Sequence, residues 1–159
     1  MAKGRPKHVT GVPRKASEPV KKAPVVLTRA GDYSQSHPTW RVSRLDLEHD
    51  RWGWHNLNVT GVVKVLEFLK QMEQLTWREI QAQQTGTSRR GALHKYVPLE
   101  SLCGAAQDRL TELNADDGSD LFRFRLGNMP RLWGLVEEAT FYPLWWDPRH
   151  EVCPSVDTS

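Results

Sequence analysis

Between residues 123 and 151 the chain gathers Arg123, Arg125, Arg131, Arg149, His150 and Glu151. These residue types suit phosphodiester chemistry. When RNA is cleaved by its own 2′-hydroxyl, a base takes the hydroxyl proton and an acid protonates the leaving oxygen. Cations stabilise the charge that builds around phosphorus. Histidine titrates near neutrality and suits either proton step, and the planar guanidinium of arginine donates two parallel hydrogen bonds to phosphate. Arg123 and Arg125 are two positions apart, which on a strand puts them on one face. The catalytic candidates are therefore His150, Arg131, Arg149 and Glu151, with His94 as a second proton-transfer group. Arg123 and Arg125 are candidates for binding the nucleic acid. The chemistry requires no metal and no organic cofactor. A plainer role stands beside each: the solvated face of an amphipathic strand for Arg123 and Arg125, a surface turn for Arg131, a turn hydrogen bond for His150, a structural position for His94.

Further nucleic-acid-binding candidates are Lys95, next to His94, and Arg89 and Arg90 in the stretch Gln84-Thr85-Gly86-Thr87-Ser88-Arg89-Arg90-Gly91, which lacks periodicity and reads as a basic loop. Trp52 and Trp54, beside His55, are rings of the kind that stack on unpaired bases; packing over a sheet edge is the alternative. Trp133, Trp145 and Trp146 belong to packing. His49, Asp50 and His55 lack a convincing fourth metal ligand, and no HExxH or CxxC spacing is present. Walker, GxGxxG and GxSxG patterns are also missing, which disfavours nucleotide hydrolysis, dinucleotide chemistry and α/β-hydrolase catalysis.

The frame for these residues is legible as alternating periods. Residues 40–45 predict a short strand with Trp40 and Val42 on one face. Val62, Val65, Leu66, Leu69 and Met72 recur at helical spacing, so a helix is expected from about Thr60. Thr76-Trp77-Arg78-Glu79 matches a capping box and opens a second short helix. Pro98 suits the first turn of a third, carrying Leu99, Leu102, Ala106, Leu110 and Leu113 and stopping near Asn114. The period then changes to two. Residues 122–126, 131–136 and 140–146 predict an antiparallel meander, with Pro143 marking an edge or a bulge. The expected fold is α+β: a small antiparallel sheet, made of one N-terminal strand plus the three-stranded meander, with two to three helices on one face.

Charge divides the chain. Residues 1–30 hold eight Lys and Arg against the single acid Glu18, a charge of +7, while the remainder holds 14 basic and 18 acidic side chains, a charge of −4. Prolines and a shortage of apolar area predict a disordered basic tail over 1–38 and one domain over 39–159. Electrostatic attraction to nucleic acid then belongs to the tail rather than to the body as a whole. Cys103 and Cys153 read as two free thiols in a reducing cytoplasm. No apolar run approaches the ~20 residues that span a bilayer, and no secretory signal follows the basic start; the expected location is cytoplasmic, with no membrane partner.

Phe122-Arg123-Phe124-Arg125-Leu126-Gly127, Pro130-Arg131-Leu132-Trp133-Gly134, Phe141-Tyr142-Pro143-Leu144-Trp145-Trp146 and Arg149-His150-Glu151-Val152 together resemble the closing meander of the RelE/ParE-like bacterial toxins. The resemblance covers residues 39–154 by element order and 121–154 by residue pattern. It implies a RelE-like fold and, as in the family's RNase members, cleavage of messenger RNA on the ribosome. It places Arg131 at phosphate and Arg149 and His150 in the basic turn after the last strand. It also implies a toxin–antitoxin system with an antitoxin encoded nearby. The chain departs from the family in its length, its acidic body, its many tryptophans and the lack of a tyrosine near Cys153. A looser similarity runs to actinobacterial and prophage proteins ending in Trp-Asp-Pro-x-His-Glu-Val and implies no function. The alternative is a non-enzymatic module, phage-borne or regulatory, that binds nucleic acid or protein through the basic tail and exposed tryptophans.

Overall fold

The structure is a computed structural model that describes residues 33–86 and 91–155. Most of the basic tail, together with Arg89 and Arg90, lies outside the described residues. The described chain opens with a turn at Tyr33, ahead of the expected start at residue 39. This segment docks on the second helix, where the Ser36 and Ser34 carbonyls accept from the Trp77 and Arg78 amides at 3.0 and 2.8 Å.

The elements run β1 (Thr39–Trp40), α1 (Val59–Met72), α2 (Trp77–Ala82), β2 (Lys95–Val97), α3 (Gly104–Glu112), β3 (Leu121–Arg125), β4 (Arg131–Glu137) and β5 (Thr140–Asp147). They form an α+β fold around one five-stranded sheet of order β1-β5-β4-β3-β2. The meander β3–β4–β5 is antiparallel as expected, and β2 adds an antiparallel edge. β1 runs parallel to β5, so the sheet is mixed. The expected first strand is cut to two residues: Val42 is exposed, and the chain turns where the Val42 carbonyl accepts from the Leu45 amide.

Helices cover both faces of the sheet, rather than the one expected, because the meander strands are apolar on both sides. Phe122, Phe124, Leu132, Phe141 and Trp146 pack against Val65 and Met72 of α1 and Trp77 and Ile80 of α2. Leu121, Trp133, Leu135 and Trp145 point the other way and pack against Ala106 and Leu110 of α3. Strict polar alternation would have left that second face to water. The third helix is shorter than its apolar stripe suggests: residues 95–97 join the sheet, Leu99–Ser101 make a single 3₁₀ turn, and extended Leu102 and Cys103 precede α3.

Local signals fix the other helices. The Asn58 side chain accepts from the Gly61 amide at 2.8 Å and starts α1 one residue before Thr60. Thr76 and Glu79 complete the expected capping box on α2. Pro143 sits at a bulge. Trp133 faces Trp145 but Gly134 faces Pro143, so Leu144 is the extra residue, and no ladder hydrogen bond is asked of the proline. The freed Leu144 carbonyl accepts from the Asp46 amide (3.1 Å) and Trp54 Nε1 (3.0 Å), which docks the 46–54 loop beside β5. Gly134 makes this packing possible. A methyl group there would meet the Tyr142 carbonyl oxygen and lie 2.6 Å from Phe141 Cζ. Gly134→Ala is expected to cost about 1–3 kcal/mol through overpacking, read as a lower urea midpoint at unchanged slope.

Candidate anion-binding site

The meander brings three arginines together by register. Arg125 lies opposite Arg131 across β3–β4, and Arg131 lies opposite Asp147 across β4–β5. Arg123 shares the Arg125 face and lies opposite Trp133, so the cluster occupies the α3 side of the sheet. Arg131 is only 4% exposed. Its Nη1 donates to the Gly127 and Pro130 carbonyls (3.2 and 3.0 Å), and Arg125 Nε donates to the same Gly127 carbonyl (2.9 Å). Arg123 reaches the Leu93 carbonyl with Nη2 at 3.4 Å. None of the three joins an ion pair among the described residues.

Asp147 is the one acid within the cluster, and it is occupied. Its carboxylate accepts from the amides of Glu151 (2.9 Å) and Val152 (3.0 Å) and from Trp133 Nε1 (3.2 Å). Those bonds fold the chain after β5 into a tight turn with His150 at its apex, in the left-handed region at φ 59°. Histidine tolerates that region better than most residues, and such conformations cluster at functional sites. The turn holds His150 in the field of the arginines. Burial and then Arg131 lower its pKa, Asp147 opposes them, and Arg123 and Arg125 lower it further, so the imidazole is neutral at neutral pH.

The arginines also disturb one another. Burial and then Arg123 and Arg125, opposed by Asp147, push Arg131 down to about 10. Burial is the first cause of the lowered value at Arg123 as well. Arg123 Nε, Arg131 Nε and His150 Nε2 are all buried without a hydrogen-bond partner, three of the four such side-chain atoms among the described residues. Buried nitrogens without a hydrogen-bond partner are costly. A site that gathers three of them around uncompensated positive charge is chemically complementary to an anion with several oxygens.

The other candidates are scattered. Lys95 is exposed on β2 opposite Arg123, at the rim of the cluster. Arg149 is exposed on the turn, and Glu151 is half-buried with its amide tied to Asp147. His94 is 1% exposed and packs on Phe68 and Phe124, over the opposite face. Its Nδ1 accepts from the Arg125 amide (3.0 Å), its Nε2 pairs with Gln83 Oε1 (3.1 Å), and burial followed by Arg123 lowers it to about 4. Both ring nitrogens are therefore engaged in holding the loop before β2 to β3. Trp52 is fully buried, stacked on His49 at 4.3 Å, and has no free face for a base. Trp54 is half-buried, with Nε1 committed to Leu144.

Two groupings had no local signal in the sequence. Cys103 and Cys153 are brought side by side when the Cys103 amide donates to the Val152 carbonyl (2.8 Å), and both are free thiols. Asp46 and Arg109, 63 residues apart, form a bidentate ion pair (2.8 and 2.9 Å) behind the 46–54 loop. Among the described residues, no three His, Cys, Asp or Glu side chains are placed to share a metal ion, and no helix is long and apolar enough to cross a membrane. No family model, curated protein or solved structure matches the chain, so what the site does rests on its geometry.

Proposed function

We propose that this protein acts on RNA, holding a backbone phosphate in the Arg123–Arg125–Arg131 cluster, as a toxin-like endoribonuclease of RelE/ParE type. The observation that carries this reading is the set of three buried, unpartnered nitrogens amid arginines that lack ion pairs. A phosphodiester supplies acceptors for the two arginine nitrogens and the missing charge, and the neighbouring 2′-hydroxyl supplies a partner for His150. Neutral His150 beside the phosphate is suited to take the 2′-hydroxyl proton. The 2′-oxygen then attacks phosphorus, a 2′,3′-cyclic phosphate forms, and the 5′-oxygen leaves with the proton that His150 returns. The arginines hold the charge on the pentacoordinate phosphorane. On this reading the RNA is messenger RNA, bound to the ribosome as in the resembling toxins; the location is the cytoplasm, and an antitoxin is the natural protein partner.

A second reading, binding without cleavage, is favoured by one observation. The cluster contains a single histidine, since His94 is engaged elsewhere. Inducible expression in a bacterial host separates the two. Growth arrest with fragmented RNA, relieved by Arg131→Ala with His150→Ala, is the result expected of the nuclease; unimpeded growth with intact RNA assigns the site to binding alone. In purified protein the cleavage rate is expected to stay flat as pH falls through 6.5, the ordinary histidine value, and to drop only below it, because the working form of His150 is the neutral one and its pKa is lowered. A rate already halved at 6.5 would exclude His150 as the base.

A further inference from the structure

Across the end of the sheet from the arginine cluster lies a cleft of about 340 Å³. Pro130 and Pro148 line it, and they are the chain neighbours of Arg131 and Asp147, the pair that closes the β4–β5 ladder. Trp146 and Leu57 complete an apolar wall on the α1 side, and exposed Arg51 and Lys64 stand at the rim. None of the described residues that line the cleft is acidic. Neither Arg51 nor Lys64 joins an ion pair among the described residues, and Arg51 lies over the Trp52 ring at 4.7 Å. Asn56, also in the lining, donates its amide hydrogens to the His49 and Asp50 carbonyls. The volume falls in the range of small-molecule sites, which are typically about 300–1,000 Å³.

We propose that this cleft holds the nucleotide adjoining the phosphate bound by the arginine cluster, with the base against Trp146 and the two prolines and the outer phosphate on Arg51 and Lys64. The inference rests on the RNA reading and narrows it to a single strand at least two nucleotides long. An RNA strand that bends over the sheet end, from the α3 side to the α1 side, meets the cluster and then the cleft. Paired bases in an A-form duplex are not free to enter. Charge complementarity and covalent continuity with the cluster favour this occupant over an apolar ligand, for which two rim cations have no use.

The test is equilibrium binding of labelled RNAs to the full chain. A single-stranded trinucleotide should bind more tightly than dimethyl phosphate, which can fill the arginine cluster alone, and more tightly than a blunt duplex. Arg51→Ala with Lys64→Ala should weaken the trinucleotide about tenfold and leave dimethyl phosphate unchanged. Both side chains are exposed, so the variant keeps the fold. If that variant binds the trinucleotide like wild type while Arg125→Ala with Arg131→Met loses it, the cleft is excluded and the RNA reading stands. If the double cleft variant weakens both ligands equally, or the trinucleotide gains nothing over dimethyl phosphate, the cleft is likewise excluded. Wild-type protein that binds none of the RNAs overturns the RNA reading and the cleft together.

Discussion

Arg125→Ala combined with Arg131→Met is expected to weaken single-stranded RNA binding by about a hundredfold or more while leaving the protein no less stable than wild type. Each hydrogen bond to a charged group is worth about 1.5–3 kcal/mol, and about 1.4 kcal/mol is tenfold in affinity. Two arginines on one phosphate therefore account for two or more decades. The salt dependence should flatten too, since fewer counterions are released on binding. Stability should follow the opposite logic. The bonds lost to the Gly127 and Pro130 carbonyls are offset, because Arg131 is buried among like charges and burial with Arg123 and Arg125 already disfavours its protonated form. Methionine fills much of the same space without the charge. An arginine kept for the fold would lose stability on replacement, whereas one kept for a ligand loses binding and keeps its melting temperature. Titration calorimetry beside thermal denaturation gives both numbers. Tight binding by a destabilised variant would remove the cluster from the function.

Asp46→Ala is expected to cost about 3–5 kcal/mol of stability, the range for breaking one side of a buried ion pair. Asp46 is 3% exposed and accepts from Arg109 Nε and Nη2, Trp145 Nε1 and the amides of Glu48 and His49. Its loss strands the Trp145 indole in the core and an arginine beneath the loop. Burial alone would raise the Asp46 pKa, but the hydrogen bonds from Arg109, Trp145 and Glu48, with the Arg109 charge, hold it far below the usual carboxylate range. A depressed native pKa stabilises the fold above the unfolded carboxylate value, about pH 4, and that contribution drains away as pH falls further. The gap between wild type and Asp46→Ala should thus be full at neutral pH and narrow steadily below pH 4. Urea titrations at several acid pH values read it directly. A gap independent of pH would mean that packing, and not the carboxylate charge, is what the mutation removed.

Most of the frame was legible because its signals are local. The Thr76–Glu79 box, the period-two runs of β3–β5 and the awkward Pro143 each depend on neighbours a few residues away. Reading failed where long-range partners decide. Val42 has the residue type of a strand, but β5 offers a partner only as far as the amide of Arg41. Lys95–Val97 carries no strong period and becomes a strand because β3 has a free edge. The second helical layer was written in Trp133 and Trp145, whose burial shows both faces apolar, although three neighbouring aromatics read simply as core. For the site, the arginines and His150 were visible as types and spacing. What no spacing discloses is the three unpartnered nitrogens, the withdrawal of His94 into the core, and the cleft at Arg51 and Lys64.

The parallel pairing of β1 with β5 joins Thr39 to Thr140, across 101 residues, and every helix among the described residues lies in the span between them. A ribosome making this chain releases α1 and α2 long before the strands that cover their inner faces. Until β3–β5 emerge, Val65, Met72, Trp77 and Ile80 have no sheet to pack on. Pairings this distant in sequence are slow to form, and half-made chains with bare apolar faces are what chaperones engage. The order of synthesis also acts as a safeguard. Arg123, Arg125, Arg131 and His150 all follow the described helices, so a chain interrupted before β4 carries no assembled arginine cluster. If the protein acts on RNA as proposed, the cell is thereby spared the activity of unfinished copies.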